Sequence, residues 1–207
     1  MKPLHYILHI ISAAVLVIFC NYFVDIPLAL FVKEFFKKSA TWSKYAADIP
    51  DTLFYVVCVT SLVSLSCYLV RAKKEIFDRA TRFSLFITYV VPVSYLLKIV
   101  LKFVFGRVNT RVWLVKPKLY GFHWFHGSGF GGGFPSGHMM VFTALFAAMW
   151  RYYPRYKPLY LTLSLLLATG LIATNYHFLG DVVGGAYLGV LVEAGTYQVL
   201  SRTRSKF

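Results

Sequence analysis

Two histidines, a carboxylate and a hydroxyl stand in this chain at spacings that can do chemistry. Pro135-Ser136-Gly137-His138 comes directly before an apolar run, and His177 and Asp181 follow downstream, four residues apart. A helix opening at the tetrapeptide offers an anion the Ser136 hydroxyl and the backbone N–H groups from Gly137 onward, with the helix dipole favouring negative charge. His138, next to them, can give a proton to a departing oxygen. His177 is the better nucleophile, because Asp181 at i+4 can accept from one ring nitrogen and leave the other free to attack. The set suits phosphoryl transfer through a phosphohistidine. That chemistry needs cations and amide donors around three equatorial oxygens, an in-line nucleophile and a proton for the leaving group. Lys102 and Arg107 supply cations at the end of an apolar run, where a charge is costly unless it is paired or solvated.

The elements that must position these groups are membrane helices. The 207 residues are 58% hydrophobic and 18% aromatic, with mean hydropathy +0.61, against roughly 45–50% apolar residues in soluble domains. Six apolar segments run at about 4–24, 52–70, 82–104, 138–152, 158–176 and 182–200, where a spanning helix needs roughly 20 residues. The fourth is short, so its helix must begin in the Pro-Ser-Gly turn. The first reads as an anchor and not a removable leader. Cys20, Cys58 and Cys67 lie inside apolar stretches without metal-ligand spacing and read as packing residues. The fold class is therefore all-α, a polytopic six-helix bundle forming one membrane-embedded domain over residues 1–207, with its motifs within 98–185.

Charge orients the bundle. The formal net charge of +14 comes from basic residues clustered between apolar runs, which points to membrane topology and anionic headgroups instead of nucleic acid. Arg71, Lys73, Lys74 and Arg79 follow the second segment, Arg151, Arg155 and Lys157 the fourth, and Arg202, Arg204 and Lys206 the sixth. By the positive-inside rule these ends, and Lys2, face the cytoplasm. The loop from Asp25 to Asp51 then faces outward, and within it Phe31 to Lys38 reads as a short amphipathic helix on the membrane surface. The loop after the third segment breaks the rule with Arg107, Arg111, Lys116 and Lys118. A basic cluster on the outer side suits the holding of an anion.

Single features have blander readings. Lys102 and Arg107, taken alone, read as headgroup anchors. His123 and His126, set among aromatics, read as members of an interfacial belt, and His5 and His9 as structural. Gly127 to Gly133 is a weak signal by itself. Asp181 is harder to dismiss, because it and Glu193 are the only acids after Asp78.

The motifs together resemble the phosphatidic acid phosphatase type 2 superfamily over roughly residues 80–200. Its signature is K-x6-R-P, then P-S-G-H, then S-R-x5-H-x3-D. The second motif matches at Pro135 to His138, and the third matches in spacing at His177 and Asp181, followed by Gly184-Gly185. The resemblance makes His177 the nucleophile, Asp181 its orienting partner and His138 the general acid. The chain departs from the pattern in two places. Seven residues beyond Lys102 stands Asn109, followed by Thr110, and the Ser-Arg pair falls on Gly170-Leu171. Arg107 substitutes in the first motif. At Leu171 a charge-assisted phosphate contact is lost unless Arg111, Lys116 or Lys118 reaches in.

The resulting expectation is a phosphatase that hydrolyses a lipid phosphate or pyrophosphate, with lipid A or a prenyl pyrophosphate slightly preferred because the outer loop is basic. It would need no cofactor and no metal, and would sit in a bacterial inner membrane with its site facing the periplasm. Phosphate-binding residues would be Lys102, Arg107, Arg111, Ser136 and Gly137. A lipid-to-lipid phosphotransferase, or a catalytically weakened lipid-binding or transport homologue, are the alternatives.

Overall fold

In a computed structural model, residues 3–36, 49–126 and 132–204 are described. Helix α1 spans Pro3–Phe19 and passes through a π-helical turn, Cys20–Val24, into α2, Asp25–Phe36. There follow α3 (Ile49–Lys73), α4 (Arg79–Phe105), the short α5 (Thr110–Val115), α6 (Gly137–Tyr152), α7 (Lys157–Ala173) and α8 (Leu179–Arg204). Among the described residues there is no strand. Among the described residues, four stretches are long and apolar enough to cross a membrane: Ile7–Phe36, Thr52–Lys73, Arg79–Val115 and Pro154–Ala173. The chain is thus an all-helical protein with the marks of an integral membrane protein.

Each of the six apolar segments forms a helix, but α6 and α8 fall outside that group of four. α6 has only 16 residues, and α8 spends its length on glycines, Asp181 and Glu193 in place of apolar bulk. Residues Phe31 to Phe36, expected in a separate surface helix, are the last turns of α2, which continues from α1. Lys37 and Lys38 lie outside the described residues.

The sequence of α8 is explained by what it packs on. The central core joins Leu53 and Val57 of α3, Phe86, Ile87, Val90 and Val91 of α4, Met140, Val141, Ala144 and Ala148 of α6, and Val192 of α8. Outward faces carry Ile11, Val15, Leu62, Val63, Leu165 and Leu166, all exposed, as a bilayer requires of a lipid-facing surface. Against α6, α8 presents Gly185 and Gly189, a small-residue pair at i, i+4 that lets two backbones approach. A Cβ at Gly185 would stand 2.6 Å from the Ser136 carbonyl oxygen, and one at Gly189 would stand 2.5 Å from that of Met140. Gly170 on α7 has open space instead. Gly185→Ala should therefore lower stability by about 1–3 kcal/mol through overpacking, while Gly170→Ala should be neutral or slightly stabilising through helix propensity. Thermal unfolding in detergent compares the two, and equal shifts would refute the close-packing account.

The helix directions sort the ends. The turns after α3 and α6 and the end of α8 lie together, and the end of α4, the start of α6 and the start of α8 lie together at the other. The motif residues gather at the second end.

Candidate active site

The turn before α6 is fixed to α8. Ser136 is the N-cap of α6, its side chain accepting from the Met139 N–H at 3.4 Å, and its own N–H donates to the Asp181 carbonyl at 3.0 Å. Preceding it, the Phe134–Pro135 peptide is cis. Gly137 opens the helix with its Cα against the stem of Lys98, whose Cδ would be 2.5 Å from an added Cβ. Lys98 and Lys102 stand at i, i+4 on α4, so both lie on one face. Lys98 holds its ammonium 4.0 Å above the Tyr95 ring. Lys102 is near enough to Asp181 and His177 to interact with both electrostatically.

His177 is held by the turn between α7 and α8. The Tyr176 and His177 N–H groups both donate to the Leu171 carbonyl, at 3.0 and 3.3 Å, while Asn175 takes a left-handed conformation with φ 49°. At the start of α8 the Asp181 carboxylate reaches back, Oδ2 accepting from the Phe178 N–H at 3.1 Å, the carboxylate half of a capping box. The same oxygen lies 3.5 Å from His177 Nδ1, an ion-pair distance that falls short of a hydrogen bond; Nδ1 and Nε2 have no hydrogen-bond partner among the described residues. The Gly133 backbone approaches the ring and favours its charged form without closing a hydrogen bond. Burial outweighs both neighbours and pushes His177 below the usual imidazole value, because an enclosed ring loses the hydration that a cation needs. The lowered value favours the neutral ring, the state in which a nitrogen lone pair is available.

Tyr176 touches both histidines, edge-on to His138 with ring centroids 5.8 Å apart and to His177 at 4.9 Å. His138 is largely buried. Arg111 stacks on Tyr176, its guanidinium 5.0 Å from the ring centre and its Nη2 donating to the Thr174 carbonyl at 3.2 Å. The loop arginine thus reaches the turn that carries His177. Leu171, at the family's arginine position, is buried against Met139 and Val182.

Arg107 lies elsewhere than expected. It follows Gly106, which caps α4 at φ 54° and whose Cβ would overlap the His123 carbonyl oxygen. This left-handed turn is open to glycine at little cost. The guanidinium is fully buried, with Nη1 donating to Asp181 Oδ1 at 2.6 Å and Nη2 to Asp25 Oδ2 at 2.6 Å. Nη2 also meets Asn21 Oδ1 at 2.8 Å and the Tyr120 hydroxyl at 3.3 Å, and the rings of Phe122 and Phe178 lie 5.1 and 4.9 Å from the guanidinium carbon. Both terminal nitrogens are engaged by carboxylates, so Arg107 braces Asp181 from behind and does not present a fork to a phosphate. Asp25, expected in a solvated outer loop, is also buried, and its Oδ1 accepts from the Gly180 N–H at 2.8 Å. Asn109, in the other arginine position, is the N-cap of α5, accepting from the Val112 N–H at 2.8 Å.

The structure therefore brings together His177, Asp181, His138, Ser136, Gly137, Lys102 and Arg111, with Lys98, Asp25, Asn21 and Tyr120 added. His123 and His126 bond the carbonyls of Leu119 and Trp124 within their loop, near the aromatic group of Phe105, Phe122, Trp124 and Phe134. Of the added residues, Lys98 was detectable as the i−4 neighbour of Lys102. Asp25 was detectable as a lone acid directly after an apolar run, where an ionisable group has a reason to be.

The sequence model of the PAP2 superfamily matches residues 83–205, a stretch that begins on α4 and contains every motif residue named above. The chain belongs to the PAP2 superfamily. No curated protein and no solved structure matches it. Membership points to phosphatase chemistry on a phosphate ester, and the apolar helices place that chemistry at a membrane.

Proposed function

We propose that this chain is a six-span membrane phosphatase that removes phosphate from a lipid phosphate or pyrophosphate through a phosphohistidine on His177. The observation that carries the reading is the buried His177 with Asp181 Oδ2 3.5 Å from its Nδ1, set beside the N-terminus of α6. In the first step Nε2 attacks phosphorus and the bond from phosphorus to the leaving oxygen breaks, while His138 gives its proton to that oxygen. Water then attacks the phosphohistidine, His138 takes its proton, and inorganic phosphate leaves. Lys98, Lys102, Arg111 and the amides opening α6 neutralise the equatorial oxygens, so the scheme needs no metal or cofactor. With Arg107 committed to carboxylates, Arg111 is the guanidinium that supplies what Asn109 and Leu171 lack.

The exposed Lys116 and Lys118 on the same side of the bundle favour a large polyanionic headgroup such as lipid A or a prenyl pyrophosphate. A periplasmic site in a bacterial inner membrane agrees with basic residues gathered at the opposite end. Leu171, packed where an arginine is expected, favours a second reading, a catalytically weakened homologue that binds lipid without turnover.

Acid quenching against alkaline quenching separates the two. Purified protein in detergent with EDTA, given terminally 32P-labelled phosphatidic acid, undecaprenyl pyrophosphate or lipid A, should release phosphate from at least one. It should also trap chain-bound label that is stable to alkali and lost in acid. No label and no release from any of the three would leave the binding homologue.

A further inference from the structure

At the end of the bundle remote from the histidines, a cavity of about 470 Å³ opens between the start of α4, the end of α6 and the end of α8. Arg79, Arg82 and Arg151 line it, with Tyr152 and Tyr197. The three arginines differ in what they hold. Arg151 is forked on Glu193, Nε to Oε1 at 2.5 Å and Nη2 to Oε2 at 2.9 Å, and lies 4.0 Å from the Tyr197 ring centre. It forms a neutralised wall. Asp78, in the turn just before α4, is engaged by Arg71 at 2.6 Å. The side chains of Arg79 and Arg82 make no ion pair among the described residues, so the cavity carries their charge uncompensated.

An apolar groove lies beside this cavity. Leu200 borders it and also borders a second space of about 640 Å³ along the seam of α4 and α8, lined by Tyr89, Val93, Leu97, Leu191 and Val199. A charged head space bordering an apolar groove at Leu200 has the chemistry of a lipid. Depth agrees: from Arg82 to Lys102, 20 residues of α4 at 1.5 Å rise cover about 30 Å, the thickness of the hydrocarbon core. Arg79 and Arg82 therefore stand at headgroup level when the histidines stand at that of the other leaflet.

We propose that this end of the bundle holds an anionic phospholipid, its phosphate at Arg79 and Arg82 and one acyl chain in the α4–α8 groove. The site is separate from the histidines and does not depend on their chemistry. Gly195 lines the groove, and a Cβ there meets nothing within 4 Å, so Gly195→Leu fills the channel without a clash at the helix surface.

The test uses the full chain in bilayers of equal phosphatidylglycerol and phosphatidylcholine, extracted into detergent, with retained lipid counted by native mass spectrometry. Wild type should retain phosphatidylglycerol selectively. Arg79→Gln with Arg82→Gln should weaken retention roughly thirtyfold, from about fivefold per arginine near a charged headgroup. Gly195→Leu should weaken it with both arginines in place. Circular dichroism of the variants establishes that they remain folded. An equal loss in Lys73→Gln with Lys74→Gln, basic residues that do not line the cavity, would overturn the proposal in favour of diffuse attraction. Displacement by millimolar inorganic phosphate with no effect of Gly195→Leu would overturn the lipid assignment and leave a free-anion site.

Discussion

His177→Asn should abolish phosphate release, by about 10⁴-fold or more, the scale seen when a nucleophile is removed from a site whose members act as a unit. Asparagine keeps a polar atom near Asp181 but has no nitrogen lone pair to attack phosphorus, and the bound phosphate then has no covalent route. Binding should survive, since the cations and the α6 amides remain. Retained affinity for the substrate beside lost turnover is the expected pattern, and turnover within tenfold of wild type would assign the nucleophile elsewhere. The wild-type pH profile carries a second signature. Burial holds the folded imidazole below its ordinary value of about 6.5, so activity should persist to pH values below 6.5 and fall only as pH passes through the lowered value. Stability follows the same sign. Above about pH 6.5 the ring is neutral folded or unfolded, and below it the unfolded chain takes up a proton that the folded chain refuses, so the contribution of His177 to stability is lost as pH falls. The asparagine variant should lack that loss.

How much of each feature is legible in the sequence follows from how that feature is encoded. The helices are legible because a bilayer demands long apolar runs, and Pro135 to His138 and the His177–Asp181 pair are legible as short motifs of fixed spacing. α8 was readable only in part. Its apolar content is diluted by Gly184, Gly185 and Gly189, residues whose value lies in how closely another backbone approaches. Arg107 stands at the expected helix end, but its partners there are carboxylates. A sequence shows that an arginine stands at a helix end, but Asp25 lies 82 residues away from it and reaches it only because α1 runs through a π-turn into α2 in place of ending in a loop. Lys98 carries no motif signal of its own and is legible only as the i−4 neighbour of Lys102, which a helix puts on the same face. Leu171 shows the opposite limit: the missing guanidinium was visible, but its replacement by packing against Met139 and Val182, with Arg111 coming in from another element, is a property of the folded turn.

Removing the charge of Arg107 should do more damage than any single change outside the histidines. Its guanidinium lies between two fully buried carboxylates, 2.6 Å from each. Breaking a buried pair by deleting one partner costs about 3–5 kcal/mol, because the other charge is left uncompensated. Arg107→Met leaves two such charges, so unfolding in detergent should fall at or beyond the upper end of that range. Asp25→Asn is the milder probe. It keeps an acceptor for the Gly180 N–H and leaves Arg107 paired with Asp181 alone, so the fold should survive with a loss within that range. The catalytic readout separates bracing from mere packing. Arg107 now draws on the negative charge of Asp181, and with that cation gone the carboxylate acts on His177 undiminished, favouring the imidazolium. The acid limb of the pH profile should move to higher pH in Arg107→Met, so that turnover at pH 6 falls further than turnover at pH 8. In Asp25→Asn, Arg107 turns wholly to Asp181, and the limb should move the other way. Opposite shifts from two changes on the same guanidinium are what electrostatic positioning of His177 requires. Equal losses of turnover at all pH values in both variants would reduce Arg107 and Asp25 to a structural clasp between α2 and α8.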